Sequence, residues 1–301
     1  MHRSSCAALS FENITIAFCP LDIVLAKQPK ADLLLIDEAA AFPLYLIKQL
    51  FSSYHRTVFS STLHGYEGAG RGFALKFSGI LNELGLSSNA IHLTQPIRWG
   101  EHDPLEQFIF NACLLNAQLP ELHGELNHHL IKPEQLAYKI YSAQDLLNNE
   151  VLLANIYAIL VTAHYQTSPN DLVLLLDNEQ LELHVLENKQ AGLVNIVAVA
   201  MVMQEGDVDE ATQLLVKQGK RRIKNHFLPQ SILTHCGDNS AFDCSYWRIM
   251  RIAVHPKLQG KGLGQLFIKN IEQEAKNRGV DIVGTSFALN NTLLNFWHKQ
   301  H

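Results

Sequence analysis

A glycine-rich turn between an apolar run and an amphipathic helix is the feature that most constrains this chain. Arg251 to Val254 favours a strand, and His255-Pro256 ends it because proline has no amide hydrogen and biases its neighbour away from helix. The segment Gln259 to Gly264 follows, and apolar residues then recur at helical spacing as far as Arg278-Gly279. Glycines at a helix start let consecutive N–H groups point into one concavity, which is how proteins hold a diphosphate.

Two other interpretations of this turn are open on the residues alone. An ordinary strand-to-helix connection also uses glycine where the backbone turns tightly. A Rossmann dinucleotide site needs an acidic residue at the end of a second strand about 20 residues on. Asp281 precedes its strand instead. The Rossmann interpretation therefore fits badly, and a diphosphate site of another kind is favoured.

The composition is that of a globular protein with room for two domains. The chain has 301 residues, of which 47% are hydrophobic and 18% are charged. Its formal net charge is −5, and its pI is near 6.3. No overall attraction to nucleic acid is expected, so DNA is not an expected partner and any contact with RNA must be local.

One local basic cluster is present between the antiparallel strands predicted over 181–204 and the strand predicted over Arg251 to Val254. It consists of Lys217, Lys220, Arg221, Arg222 and Lys224. A solvated helix face is the ordinary interpretation of such a run. In a protein that binds RNA, Lys220, Arg221, Arg222 and Lys224 are also candidate phosphate contacts. The sequence leaves the two alternatives equal.

Cysteine usage and hydropathy indicate a cytoplasmic chain. The five cysteines include no C-x-x-C pair and leave an odd member, which predicts reduced thiols. No run of about 18 apolar residues is present, and the N-terminus lacks the pattern of a signal peptide, so no membrane partner is expected. The 15 histidines are scattered, which favours surface or core positions over metal ligation.

Two acids follow a continuous apolar run in the first part of the chain. Ala31 to Ile36 is predicted to form a parallel strand buried on both faces, and it ends at Asp37-Glu38. In nucleotide hydrolases, the first such acid holds Mg²⁺ and the second orients the attacking water. Alternatively, the acids cap a helix from Ala39 to Phe51, because negative charge is favourable at a helix N-terminus.

The segments that follow continue a parallel α/β pattern. Arg56 to Leu63 is predicted as a second strand that runs into the glycine-rich residues 65–72, and strand, helix, strand is the right-handed βαβ unit. Ile91 to Leu93 is predicted as another strand, which places Arg98 at a carboxyl end. An arginine there either neutralises phosphate or forms a surface ion pair.

Other elements follow from hydrophobic periodicity and turn residues. They are a strand over Phe11 to Phe18, a short helix or turn over Leu21 to Ala26, a helical segment over 144–164, a second helix around 170–177, and antiparallel strands over Leu181 to Leu186 and Gly192 to Gln204. The polar residues 116–132 hold the expected domain boundary.

These motifs resemble those of a known family. Gln259 to Gly264, after a strand ending at Val254, is similar to the Q/R-x-x-G-x-G/A signature with which GNAT acetyltransferases hold the pyrophosphate of acetyl-CoA. LLLIDEAAAFP, HGYEGAGRGF and QPIRW resemble the helicase-like ATPase module of bacterial tRNA(Met) cytidine acetyltransferases, whose GNAT module lies downstream. AHYQTSPNDL, GKRRIKNHFLPQSI and SFALNNTLLNFW match the same family, so the resemblance covers nearly the whole chain.

The resemblance implies a tRNA-modifying enzyme. Its members acetylate the exocyclic N4 of the wobble cytidine of elongator tRNA(Met), using acetyl-CoA and driven by ATP or GTP hydrolysis. It implies that Asp37 and Glu38 are the Walker-B pair, with Mg²⁺ held by Asp37 through ATP, and that Arg98 contacts the nucleotide. The residues that it places at the acetyl-CoA site are Ile252, Ala253, Val254, Gln259, Gly260, Lys261, Gly262, Leu263, Gly264 and Gln265.

The last helix departs from the family pattern. An acidic and a basic CoA contact belong there, where this chain has Thr292 and Lys299. Thr292 puts the acidic contact in doubt, and Lys299 keeps the charge without the arginine fork. In GNAT chemistry a backbone amide polarises the thioester carbonyl, and Val254 N–H is the candidate here. His255 is a candidate base, although a histidine in a His-Pro turn is equally expected to be structural.

Two family features are absent from the sequence. The phosphate-binding pattern G-x-x-x-x-G-K-[ST] occurs nowhere, and the chain stops in the helix that precedes the final GNAT strand. We therefore expect an α/β protein with a partial P-loop NTPase parallel-sheet module over 1–125, followed by a mixed αβ GNAT domain over 126–301 that lacks its final strand. Such a chain, truncated at both ends, would turn over ATP weakly or not at all.

Two other functions are compatible with the residues. One is a GNAT enzyme that acetylates a protein or a small-molecule amine, with the upstream module as a passive platform. The other is a non-catalytic remnant that binds nucleotide or CoA only. A test for acetylcytidine in tRNA(Met) distinguishes the first of these from RNA modification, and CoA binding tests the second.

Overall fold

The chain divides into two compact units, Met1–Arg98 and Trp99–His301. The computed structural model describes residues 6–62, 70–123, 133–163, 169–190, 193–288 and 291–298. The domain boundary expected between 125 and 126 lies outside these ranges and stays a prediction. Leu114 and Leu119, which precede it in the chain, pack against the core of the second unit.

The first unit begins with an antiparallel hairpin of β1 (Ala7–Phe11) and β2 (Ile14–Phe18). The single strand predicted over Phe11 to Phe18 is therefore wrong, because the chain turns at Glu12-Asn13. Successive side chains of a strand alternate between its two faces. One face of the hairpin is apolar and exposed, with Leu9, Phe11, Ile14, Ile16 and Phe18 each 63 to 76% accessible.

A disulfide closes this hairpin. Cys6 and Cys19 are the next opposed positions beyond the pair Ala7 and Phe18, and they are bonded with a Cα–Cα distance of 4.4 Å. The expectation of reduced thiols is wrong for these two residues, because the hairpin register brings them together. The free cysteines of the described residues are Cys113, Cys236 and Cys244.

A short parallel pair forms the second sheet of this unit. β3 (Leu34–Ile36) lies beside β4 (Thr57–Phe59), with Leu34 opposite Thr57. Both strands are shorter than predicted. Ile36 is buried, but Leu35 is 64% exposed, so the prediction of a strand buried on both faces is wrong. Parallel strands are buried on both faces only where a second layer covers them.

Three helices pack around β3 in the first unit: α1 (Leu21–Lys27), α2 (Leu44–Leu50) and α3 (Gly70–Glu83). The prediction of a continuous helix over Ala39 to Phe51 is wrong. A 3₁₀ turn at Ala39–Ala41 ends at Phe42, whose backbone is extended at φ −96° and ψ 141°. Pro43 follows Phe42, and proline disfavours the helical conformation in the residue before it. Val24, Ile36, Ile47 and Leu50 form the core of the unit.

No strand is present over Ile91 to Leu93, which corrects the prediction for that segment. Ile91 is 82% exposed and Leu93 is 87% exposed. Alternating apolar residues form a strand only when a neighbouring strand accepts their main-chain hydrogen bonds, and none of the described residues pairs with them. Arg98 therefore lies in an irregular exposed segment rather than at the end of a strand.

A five-stranded mixed sheet organises the second unit. Its strands, in spatial order, are β5 (Leu136–Tyr141), β6 (Leu181–Gln190), β7 (Leu193–Glu205), β8 (Tyr246–Val254) and β9 (Ile282–Thr285). The pairs from β5 to β8 are antiparallel, and β9 is parallel to β8. The predicted antiparallel pair of central strands is confirmed.

Helices cover both faces of this sheet. The helices of the second unit are α4 (Pro104–Ala112), α5 (Ala143–Leu147), α6 (Glu150–Ala163), α7 (Pro169–Asp177), α8 (Glu210–Lys217), α9 (Phe227–Cys236), α10 (Leu263–Asn277) and α11 (Asn291–His298). On one face, α5, α6 and α7 pack against Val199 and Met201. On the other face, Phe267 and Ile271 of α10 pack against Ala200 and Val202. This is the αβα layering expected of a mixed αβ domain.

No helix among the described segments combines the length and the apolar character that a membrane crossing requires.

Candidate functional site

The strongest candidate site lies at the end of β8, where the sheet opens. β8 pairs with β7 as far as Val254, but it pairs with β9 only from Tyr246 to Ile249. Within the described residues, the last five residues of β8 have no strand partner on the β9 side. The two parallel strands therefore leave a gap in which main-chain groups are free to bind a ligand.

The alternation of main-chain groups shows which of them point into this gap. His255 N donates to Val197 O at 2.9 Å, so His255 belongs to a hydrogen-bonded pair with β7. In an antiparallel ladder such pairs alternate with pairs whose N–H and C=O groups point away. The N–H groups of Ile252 and Val254 therefore point away from β7 towards the gap. The sequence expectation that Val254 offers a free N–H is consistent with this geometry.

The glycine turn follows the gap directly. After a 3₁₀ turn at Pro256–Leu258, both Gly260 and Gly262 have a φ of +76°, in the left-handed region that favours glycine. A Cβ atom added at either residue would meet no atom within 4 Å, so the turn borders open space. α10 begins at Leu263, and its first N–H groups have no partner within the helix. An open turn at a helix N-terminus fits a diphosphate.

Gln259 ties the turn to the strand. Its side-chain Nε2 donates to Val254 O at 3.1 Å. The first residue of the predicted signature therefore braces the end of β8, and it fixes the turn relative to the gap-facing N–H of Val254. Lys261 is exposed at the tip of the turn, where it adds positive charge beside the open space.

Gly264 is required by packing rather than by backbone conformation. A Cβ atom there would lie 2.9 Å from Cε2 of Phe296. The ring of Phe296 is in turn packed edge-on against Trp297, with the ring centroids 5.1 Å apart. α11 therefore lies directly over the first turn of α10. The sequence reasoning missed Phe296, although its motif SFALNNTLLNFW was noted as a family match.

His255 is held by contacts on both ring nitrogens. Nδ1 accepts the N–H of Lys257 at 3.3 Å, and Nε2 lies 3.1 Å from Pro120 O. This pattern places the proton on Nε2, which donates to the carbonyl. The side chain is 1% exposed, and burial lowers its pKa. These contacts favour the structural interpretation of His255 over the role of a base.

Sequence reasoning also missed an ion pair on the face of β8 that packs against α6 and α7. Arg251 Nη2 donates to Asp171 Oδ1 at 2.5 Å, which joins β8 to α7. The Arg251 Nη1 atom is buried and has no hydrogen-bond partner among the described residues. Asp171 falls within the motif AHYQTSPNDL, of which residues 164–168 lie outside the described ranges.

The acids predicted for nucleotide chemistry lie at the carboxyl edge of the β3–β4 pair. Asp37 Oδ1 accepts the hydroxyl of Ser60 at 2.5 Å, and Ala39 N donates to Ser60 O at 2.9 Å. Asp37 and Glu38 are both exposed. No contact among the described residues joins Arg98 to either acid. Residues 63–69 of the glycine-rich segment lie outside the described ranges.

The two positions predicted in the last helix are not among those the structure describes: Lys299 lies outside the described residues, as does the side chain of Thr292. The basic cluster, defined as Lys217, Lys220, Arg221, Arg222 and Lys224, spans the end of α8 and the loop to α9, and all five side chains are exposed.

Comparisons with known proteins agree with both halves of this description. Residues 2–116 match the family described as RNA cytidine acetyltransferase NAT10/TcmA, helicase domain. Residues 155–277 match GNAT acetyltransferase 2, a range that includes the gap and the glycine turn.

Curated relatives match nearly the whole chain. A tRNA(Met) cytidine acetyltransferase TmcA of Vibrio cholerae is 41% identical over 288 residues, which are 95% of this chain and 39% of the relative. Proteins of the same name from Nitrosococcus halophilus and Haemophilus influenzae are 39% and 32% identical, over 97% of this chain and 38% and 49% of their own lengths. This chain thus spans less than half of each of these relatives. Both modules match in the family's order, and the chain belongs to the RNA cytidine acetyltransferase family.

Proposed function

We propose that this chain carries the acetyl-transfer part of a tRNA(Met) cytidine acetyltransferase, which moves the acetyl group of acetyl-CoA to N4 of the wobble cytidine. The observation that carries the proposal is the open gap at the end of β8, bordered by the glycine turn 259–264. The names of the curated relatives support the choice of tRNA as the acceptor.

The residues of the gap and the turn suit acetyl-CoA. The free N–H groups at the start of α10, together with Lys261, would hold the diphosphate. The main chain of Ile252, Ala253 and Val254 would bind the pantetheine arm, and Lys299 would contribute positive charge. Acetyl-CoA supplies the activated acetyl group when it is bound. The other residues that we propose for the acetyl-CoA site are Gln259, Gly260, Gly262, Leu263, Gly264 and Gln265.

In the transfer itself, the chain contributes position and a hydrogen bond. The N–H of Val254 would donate to the thioester carbonyl and stabilise the charge that develops on its oxygen. A bond would form between N4 and the acetyl carbon as the carbon–sulfur bond breaks, CoA would leave as its thiolate, and N4 would give its proton to a base or to water. Cytosine N4 is a weak nucleophile because its lone pair is delocalised into the ring, so the base must be held out of its stack and closely oriented.

We also propose that Asp37, Glu38 and Arg98 belong to a nucleotide site, with Mg²⁺ bound through ATP by Asp37. A carboxylate and a hydroxyl at this edge are the oxygen ligands that Mg²⁺ prefers. The chain contains no G-x-x-x-x-G-K-[ST] loop to hold the phosphates, so no hydrolytic step is assigned to it. We expect weak or absent ATP turnover. A tRNA substrate places the protein in the cytoplasm under this proposal.

Nucleoside mass spectrometry tests the proposal. The chain is incubated with acetyl-CoA and unmodified tRNA(Met), and acetylated cytidine is expected. Acetylation of lysine peptides without any acetylcytidine would contradict the RNA reaction and would support an amine acetyltransferase instead. Calorimetric titration with CoA should show saturable binding that Gly262→Glu abolishes, because the carboxylate repels the diphosphate. No binding of CoA by the unmodified chain would rule out the site itself.

A further inference from the structure

A long insertion separates two strands that are neighbours in the sheet. β7 ends at Glu205 and β8 begins at Tyr246, and these two residues are paired across the sheet. Antiparallel neighbours need a connection of only two to five residues. This chain uses residues 206–245, which contain α8 and α9 around a small core of Leu233, Ala241 and Phe242. Because the strand connection does not need this length, we expect the insertion to have a function of its own.

The insertion is fixed rigidly to the sheet. The buried carboxylate of Glu205 accepts hydrogen bonds from Arg248 Nε and, at 2.7 Å, from the N–H of Leu228 at the start of α9. Gly206 N donates to Nδ1 of the buried His226 at 3.0 Å. Gly206 has a φ of +101°, and a Cβ atom there would lie 2.5 Å from Cys244 O. The two ends of the insertion are therefore closely packed together.

The loop that carries the basic cluster is ordered by its own contacts. α8 ends at Lys217, and Gly219 just beyond it has a φ of +67°, which is typical of the glycine that follows a helix C-terminus. Gln230 of α9 accepts from Ile223 N at 2.9 Å and donates to Ile223 O at 2.7 Å. The cations on either side of Ile223 are exposed. Arg221 Nη1 donates to Thr212 Oγ1 at 3.4 Å, and none of the cations forms an ion pair among the described residues. An ordered loop that carries several exposed cations suits a partner with several anions.

The insertion lies on the face of the sheet opposite to α10. Arg248 of β8 pairs with Met203, which belongs to the core under α6 and α7, whereas the adjacent Trp247 belongs to the core under α10. On the Arg248 side, the ring of Phe227 lies 5.6 Å from the guanidinium carbon of Arg248, so α9 covers this face. An acceptor that enters from the face opposite the cofactor helix therefore meets α8 and α9.

The insertion is also attached at the far end of β8 from the gap. Tyr246 and Val254 are the two ends of the nine-residue strand β8, which lie about 25 Å apart. In the reaction proposed above, the loop that contains the target cytidine occupies the gap. His226, whose ring accepts the N–H of Gly206 at the attached end, is two residues from Lys224, so the cluster lies at this end of β8. RNA that reaches the cluster from the gap is therefore the paired stem rather than the loop.

We propose that the basic cluster on the α8–α9 loop binds the phosphates of the RNA stem and thereby sets the register of the loop in the gap. This inference rests on the proposed RNA reaction. Lysine and arginine side chains that contact phosphates supply affinity and position without reading sequence. Each contact displaces condensed counterions, so the contribution of the cluster is measurable as a salt dependence.

The test compares two variants that lose the same charge. Lys220→Gln/Lys224→Gln alters the cluster, and Lys269→Gln/Lys276→Gln alters two exposed lysines of α10. Affinity for an anticodon stem-loop and for a single-stranded oligonucleotide of the loop sequence is measured between about 50 and 200 mM salt. For the stem-loop, the cluster variant should reduce the magnitude of the negative slope of log K against log salt by about 1 to 2, and the control variant should leave this slope unchanged. Neither variant should alter binding of the loop oligonucleotide.

Two outcomes would overturn the inference. They are an unchanged slope in the cluster variant and an equal change of slope in both variants. CoA affinity, measured by calorimetry, should be the same in all proteins and shows that the fold is intact. If the wild-type chain acetylates tRNA(Met) while the slope is unchanged, the proposed reaction stands and the inference fails. Absence of acetylcytidine with an altered slope would instead contradict the proposed reaction.

Discussion

At the scale of single residues, the contacts of His255 suggest a variant that separates two roles. Asparagine is among the best residues at a helix N-terminus, and its side-chain oxygen can accept the N–H that His255 Nδ1 accepts from Lys257. His255→Asn should therefore keep the turn in place and change the rate of acetyl transfer by less than about tenfold, because removal of a general base costs 10²–10⁴-fold. The measurement is the pH profile of tRNA acetylation. A loss of rate above about a hundredfold, with an altered pH profile, would identify His255 as the base.

Buried histidines also predict how the second unit responds to acid. Burial is the main cause that lowers the pKa of His184, His226 and His255, and all three are less than 9% exposed. Their folded-state pKa lies below the unfolded value near 6.5, so the unfolded state binds more protons in acid. The stabilisation is complete above about pH 6.5, and it is lost as the pH falls through the folded-state pKa.

We therefore expect the free energy of unfolding to fall between about pH 6.5 and 5, by at most about 1.4 kcal/mol per pH unit for each histidine. Urea titrations at several pH values, followed by tryptophan fluorescence, measure this slope. Trp99, Trp247 and Trp297 are the three tryptophans of the chain, and all belong to the second unit. His255→Asn should make the slope shallower. A stability that is constant or rises on acidification would contradict the assignment of neutral buried histidines.

At the scale of elements, the contact between α10 and α11 decides why Gly264 is glycine. Its φ is not in the left-handed region, so alanine is compatible with the backbone, but the new Cβ would lie 2.9 Å from the ring of Phe296. Gly264→Ala should destabilise the second unit by about 1–3 kcal/mol through overpacking. In the double variant with Phe296→Ala, the two costs should be clearly less than additive. Urea unfolding of the four proteins gives the coupling, and simple additivity would show that the ring is not the obstacle.

The elements of the second unit followed from the sequence because local pattern and burial agree there. The antiparallel strands and the helix after the glycine turn were predicted close to their observed positions, since β6 and β7 are apolar runs buried between two helical layers and α10 buries one clear apolar face. In the first unit the same reasoning gave strands that are too long, and one at Ile91 to Leu93 that does not form. Apolar residues there have no layer to bury against, and periodicity alone cannot supply that information.

In the candidate site, too, local features were predictable from the sequence, whereas contacts between distant residues were not. The glycine turn was recognisable because its conformation requires glycine at 260 and 262. The brace from Gln259, the ring of Phe296 and the pair of Arg251 with Asp171 depend on contacts between residues far apart in sequence or on side-chain direction. Such contacts leave no periodic signal in a single sequence. The disulfide of Cys6 and Cys19 required the register of a hairpin that was predicted as one strand.

At the scale of the whole molecule, the two units differ in how completely they bury apolar surface. The second unit has a five-stranded sheet covered on both faces. Within its described residues, the first unit has two sheets of two strands each, and large apolar side chains such as Phe11, Ile16 and Leu35 remain more than 60% exposed. Isolated two-stranded pairs are marginally stable in water. The first unit should therefore be the less stable of the two.

A ligand that binds only the second unit makes this difference measurable. With CoA at 100 times its dissociation constant, the second unit should gain about 2.7 kcal/mol, which moves its urea midpoint by about 1–2 M. Tryptophan fluorescence should follow this shifted transition. Far-UV circular dichroism should show, in addition, an earlier transition that CoA does not move, because the gap and the glycine turn lie wholly outside the first unit. A single transition that shifts as a whole would mean that the units unfold together, and Gly262→Glu, which should not bind CoA, is the matched control for the shift.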